Sequence, residues 1–128
     1  MELIQILKAL GDDTRLRIIN ILSHGDLCVC EIEVVLGISQ SNASRHLNKL
    51  MNAKLVTYYK EAKYVYYKLD EETLREFSFI EELLSNELEK EEILKQDYNM
   101  LKAYKGAGIN CETINEAKDI LLNTNNKK

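Results

Sequence analysis

Apolar residues recur with a helical period up to about residue 53, alternate with a period of two from 55 to 69, and return to a helical period beyond 70. The first segment, Glu2 to Leu10, places Leu3, Ile6, Leu7 and Leu10 on one helical face, and Gly11 ends it. Asp12 or Asp13 then caps a second helix over Thr14 to Ser23, with Leu16, Ile19 and Leu22 inward and Arg15 and Arg17 outward. His24-Gly25 stops that helix, and a loop from Asp26 to Cys30 leads to a third over Glu31 to Leu36. After a Gly37 turn, Ser39 caps a fourth helix whose Ala43, Leu47, Leu50 and Met51 form a single apolar stripe. The alternating stretch predicts a hairpin, Leu55 to Tyr59 and Tyr64 to Leu69, around a Lys60-Glu61-Ala62-Lys63 tip. From Asp70 a long acidic helix carries Leu74, Phe77, Ile80, Leu84 and Leu88, then Leu94, Tyr98, Leu101 and Tyr104, with a break near Glu89 left open.

Two short helices joined by a glycine turn and followed by a hairpin predict a mainly α fold with a small β-hairpin: a winged helix-turn-helix with a helical dimerisation element. The long helix carries more apolar surface than so small a core can bury, so a second copy of the chain is the expected cover. Residues 1–105 form the expected winged-helix and dimerisation domain. Residues 106–128 form a C-terminal extension, in which Gly106-Ala107-Gly108 precedes a short helix over Asn110 to Leu122 and a polar tail.

The chain has 128 residues, 45% hydrophobic and 30% charged, which suits one globular domain and excludes a disordered one. No apolar run approaches the roughly 20 residues that cross a bilayer, and the expected setting is cytoplasmic with no membrane partner. The net charge of −4 argues against indiscriminate coating of nucleic acid. Residues 40–69 nevertheless hold six bases against Glu61 alone, while 70–97 hold eleven acids against three bases. A localised basic segment in an acidic protein suits a site-specific reader of double-stranded DNA. The candidate contacts are Gln40, Ser41, Asn42, Ser44, Arg45, His46 and Lys49 on the fourth helix and Lys60 and Lys63 at the hairpin tip. An ordinary solvated helix has the same polar face.

Three cysteines, Cys28, Cys30 and Cys111, point to metal or redox chemistry rather than to a disulfide framework. The order of elements, together with Leu10-Gly11-Asp12-Asp13-Thr14-Arg15-Leu16-Arg17-Ile18, Ser39-Gln40-Ser41 with Ser44-Arg45-His46-Leu47, and Asp26-Leu27-Cys28-Val29-Cys30-Glu31-Ile32, resembles the ArsR/SmtB family of metal-responsive repressors over residues 2 to about 90. The resemblance implies a homodimer that represses from an inverted-repeat operator, is not an enzyme, and releases DNA when a thiophilic inducer binds the C-V-C box. It implies no permanently bound cofactor, only arsenite, antimonite or another thiophilic ion as inducer.

Departures from the family narrow the inducer. Glu33 stands where many arsenite sensors have a third cysteine, the N-terminal arm lacks the cysteines of cadmium and lead sensors, and His24 and His46 are the only histidines. The resemblance puts Cys28 and Cys30 in the metal-ligand set, and Cys111, the sole remaining thiol, is the expected third ligand; three thiolates suit trivalent arsenic, whereas zinc would need a fourth ligand. A helix start at Asn110 would lower the pKa of Cys111. Residues i and i+2 of a regular helix point about 200° apart, so Cys28 and Cys30 share an ion only if that helix begins non-helically. A sensor of thiol oxidation or persulfides, or of cadmium or lead, is the alternative on the same DNA-binding fold.

Overall fold

In the computed structural model, which describes residues 1–111, 113 and 114, the helices and hairpin follow the hydrophobic pattern with three instructive differences. Helix α1 spans Glu2–Leu10 and α2 Asp13–Leu22, the latter capped by Asp12, whose carboxylate accepts the Arg15 amide at 3.1 Å. Helices α3 (Val29–Leu36) and α4 (Gln40–Asn52) flank Gly37, whose φ of 67° is a left-handed turn that glycine adopts without penalty. The Ser39 hydroxyl caps α4 by accepting the Asn42 amide at 3.2 Å. Strands β2 (Val56–Glu61) and β3 (Tyr64–Leu69) form the hairpin. Ile6, Ile18, Ile19, Ile21, Ile32, Leu47, Leu50 and Leu55 fill one core between these elements.

The first difference is that Leu27–Cys28, expected in a loop, forms strand β1 and pairs antiparallel with β3, in register Leu27↔Tyr67 and Cys28↔Tyr66. The sheet order is therefore β1-β3-β2, and the thiol at Cys28 is tied to the hairpin.

The second concerns helix faces. In α1 the buried residues are Ile6, Ala9 and Leu10, whereas Leu3, Ile4 and Leu7 are exposed, so the helix is rotated from its expected orientation. In α2, Arg15 and Arg17 turn inward rather than away. Arg15 Nε donates to the Ala9 carbonyl, and Arg17 makes a two-pronged pair with Asp97 at 2.8 and 3.0 Å while also donating to the Leu36 carbonyl.

The third is that the long acidic helix is broken. Helices α5 (Glu71–Glu76) and α6 (Phe79–Glu82) pass into a π-helical turn at Leu83–Glu87 and a 3-10 turn at Leu88–Lys90 before α7 (Glu92–Gly106) starts afresh. The break lets α7 pack against α2 and α3 instead of extending away from them. After α7, Gly108 adopts a φ of 73°, and Cys111 and Ile114 return to bury against the core. The remainder of the expected Asn110 to Leu122 helix lies outside the described residues. No helix among the described residues is long and apolar enough to cross a membrane.

Candidate thiol site and nucleic-acid interface

The polar face of α4 is open. Gln40, Ser41, Asn42, Arg45, Asn48 and Lys49 are exposed and Ser44 is half-buried, while Arg45 donates to the Asn42 side chain at 3.1 Å and so holds both groups in one orientation. His46 is placed differently from the sequence expectation. It is only 6% exposed, because its position falls on the inner face beside Leu47 and Leu50, and its Nδ1 lies 3.3 Å from Arg15 and 3.8 Å from Asp12. Burial lowers its pKa, which keeps the ring neutral as an acceptor for Arg15. Its place is a buttress between α2 and α4, and it presents nothing to a groove.

At the hairpin tip Lys60 and Lys63 are exposed. Ala62 takes a φ of 55°, a conformation that costs a residue with a Cβ about 1–2 kcal/mol.

The cysteines divide. Cys28, the extended residue just before α3, places its sulfur 2.6 Å from that of Cys111, and both side chains are buried. The Cys111 thiol also donates to Glu31 Oε1 at 3.2 Å, and the donor atoms of Cys28, Glu31 and Cys111 all lie within 4.8 Å of one another. The Cys28↔Tyr66 register sets Tyr66 beside the cluster, where Cys111 raises the pKa of its hydroxyl, and the Tyr104 hydroxyl of α7 makes a short hydrogen bond to Glu31 Oε2. Cys30, two residues along and inside the first turn of α3, is half-buried against the core and lies outside this cluster.

Burial pushes the Cys28 thiol up, and the hydrogen bond with Cys111 adds to the shift. Cys111 is also raised, first by burial, in contrast to the lowering expected from a helix start: the residue sits in a turn among buried groups rather than at an open amide terminus. The cluster in its resting form is therefore a pair of protonated thiols beside a hydrogen-bonded carboxylate.

Among these partners, Glu31 carried a legible signal, since an acid three residues after a helix cap is the signature of a capping box. Tyr66 and Tyr104 carried none, because what brings them together is strand register and the packing of α7. The cluster offers two sulfurs and one carboxylate oxygen, a set that fits a small thiophilic guest.

The sequence profile described as "Bacterial regulatory protein, arsR family" matches residues 12–58. A cadmium resistance transcriptional regulatory protein CadC homolog of Staphylococcus aureus is 43% identical over 77 residues, 59% of this chain and 64% of that protein. The arsenical resistance operon repressor of Staphylococcus xylosus is 40% identical over 73 residues, 57% of this chain and 70% of that protein. The homodimeric winged helix-turn-helix domain of Mb0332 from Mycobacterium bovis superposes with a TM-score of 0.58 at 27% identity, covering 71% of this chain and 85% of that one. The chain spans less than two thirds, 64%, of the cadmium-regulator relative. The matched stretch contains α2, β1 with Cys28, α3, and the whole of α4, so profile and geometry converge on the same elements, and the chain belongs to the arsR family of bacterial regulatory proteins.

Proposed function

We propose that this chain is a homodimeric, DNA-binding transcriptional repressor that a trivalent arsenic or antimony species releases from an inverted-repeat operator by engaging Cys28 and Cys111. The observation that carries the reading is the meeting of these two sulfurs, 83 residues apart in sequence, at the entrance to the helix-turn-helix. Gln40, Ser41, Asn42, Ser44, Arg45 and Lys49 form the base- and phosphate-contacting face, and Lys60 and Lys63 reach the backbone from the wing. The exposed Leu3, Ile4 and Leu7 of α1, with Ile93 and Met100 of α7, supply apolar surface for a second copy.

Charge balance favours arsenous acid over a divalent ion. Its hydroxyls leave as water with the two thiol protons as two arsenic–sulfur bonds form, so no proton is released to solvent and no oxidation state changes. A divalent cation must instead expel both protons from thiols that burial already holds protonated. Cys30, in the first turn of α3, supplies the third sulfur when that turn unwinds, its thiol proton leaving with the remaining hydroxyl as water. Operator-binding titrations against arsenite, antimonite, cadmium, lead and zinc test the reading: release is expected at the lowest concentration with arsenite or antimonite. Release by cadmium or lead alone would replace the inducer, and no DNA binding at all would remove the repressor.

The same contact favours a second reading, in which a peroxide takes two electrons and the two thiol protons from Cys28 and Cys111 to leave a disulfide and water. Mass spectrometry of the peroxide-treated protein separates the two readings.

A further inference from the structure

Glu31 has three attachments to two parts of the fold. Its Oε1 accepts the Cys28 backbone N–H at 3.0 Å, closing the first turn of α3, and also the Cys111 thiol at 3.2 Å. Its Oε2 accepts the Tyr104 hydroxyl from α7. The side chain is 4% exposed, so water does not compete for these bonds. A glutamate that only capped α3 would need the first bond alone; the other two bind the start of α3 to the end of α7 and the segment beyond it.

Occupation of the thiols is incompatible with all three bonds at once. A guest bonded to both sulfurs takes the place of the proton on each thiol. The S–H that Cys111 gives to Glu31 is therefore lost, leaving the sulfur and Oε1 3.2 Å apart with no proton between them. Glu31, which caps the Cys28 amide at the start of α3, is then held to α7 by the Tyr104 hydroxyl alone. Helix α3 in turn sets the Gly37 turn, whose amide and that of Ile38 both bond to the Glu33 carbonyl.

We infer that Glu31 is the latch that transmits thiol occupancy to the helix-turn-helix: bound to Tyr104 and Cys111 it holds α3 in the DNA-binding position, and occupancy of Cys28 and Cys111 releases it. The inference rests on the reading that these two cysteines receive the inducer, and it makes Glu31 and Tyr104 positioning residues.

The test uses the full chain, with Tyr104→Phe, which keeps the ring and removes one hydroxyl, and Glu31→Gln, which keeps the size and the α3 cap. Wild-type protein should lose operator affinity by about 5- to 150-fold on adding arsenite, the usual range for such coupling. Both variants should bind operator more weakly before any arsenite is added, show faster amide exchange over residues 28–33, and bring the ratio of arsenite-free to arsenite-loaded affinity to within about twofold of unity. By reciprocity they should bind arsenite more tightly than wild type, which a residue needed only for folding would not produce. Wild-type ratios and wild-type exchange in both variants would overturn the latch. A wild-type chain that ignores arsenite would overturn the inducer assignment instead, and the arsenite-free operator affinity and exchange of the two variants would still decide the latch.

Discussion

Ala62 at the wing tip shows how one backbone angle becomes a measurable stability. Its φ of 55° brings its Cβ against its own backbone, a conflict glycine lacks, while glycine loses more freedom on folding. Ala62→Gly should therefore stabilise the chain by up to about 1 kcal/mol in urea denaturation, with an unchanged m-value; a less stable variant would show that the tip relaxes away from this angle. His46 gives a pH dependence. Its folded pKa lies below the ordinary 6.5, so the unfolded chain takes up the proton first, and stability falls as pH drops through 6.5 toward the lowered folded value. His24 is lowered too, mainly by burial, and adds in the same direction. His46→Gln should shrink the difference in unfolding free energy between pH 7.5 and 5.5 without abolishing it, and an identical difference in variant and wild type would assign the whole effect to His24. The wing-tip angle left no mark on the sequence, whereas position 46, three after Ala43 and four before Leu50, lies on the inner face of α4; what the sequence hid is that Arg15 turns inward to meet it. The cysteines were half legible. The C-V-C spacing paired Cys28 with Cys30, whereas the structure brings Cys28 to Cys111, and Tyr66 and Tyr104 come beside them through strand register and helix packing, which leave no local pattern.

At the scale of elements, most of the fold followed from periodicity and caps, because Ser39, Asp12 and the Gly37 turn act within a few residues of themselves. The break before α7 did not, since its apolar residues keep helical spacing across it; α7 restarts because its packing on α2 and α3 requires a change of direction. Asp97 anchors the new direction. It is 4% exposed and receives both prongs of Arg17, whose third donation goes to the Leu36 carbonyl at the end of α3, so one guanidinium joins α2, α3 and α7. The pair raises the already high pKa of Arg17, which stays charged. Breaking a buried pair from one side typically costs about 3–5 kcal/mol, and partial exposure of Arg17 puts the expected loss for Asp97→Ala near the low end, about 3 kcal/mol. Calorimetry or urea denaturation measures it, and a double-mutant cycle with Arg17→Ala should return most of that loss as coupling. Independent, additive losses would mean that α7 is held by its apolar contacts alone.

Under the proposed repressor function, the separation of charge along the chain bears on how the protein would meet DNA. The six bases of residues 40–69 occupy α4, the turn after it and the wing, while the acids that make the chain net negative follow the wing. On that reading the acidic segment after the wing repels DNA while the basic segment attracts it, which favours approach by α4 and the wing. Within that face the two ends have different chemistry. Arg45, steadied by Asn42, has a planar fork suited to guanine edges in the major groove, whereas Lys63 is a point charge suited to phosphate. Arg45→Ala should abolish discrimination between operator and unrelated DNA while leaving fold and dimer intact. Lys63→Ala should weaken both kinds of site by the same factor. In a homodimer two wing tips withdraw together, and each lost phosphate contact removes about 0.9 from the slope of log affinity against log salt, so the Lys63→Ala slope should be shallower by about 1.8. Fluorescence anisotropy over a range of salt concentrations, on operator and scrambled duplexes, reads both quantities. A loss confined to the operator would place Lys63 against bases, and an unchanged slope would lift the wing off the DNA.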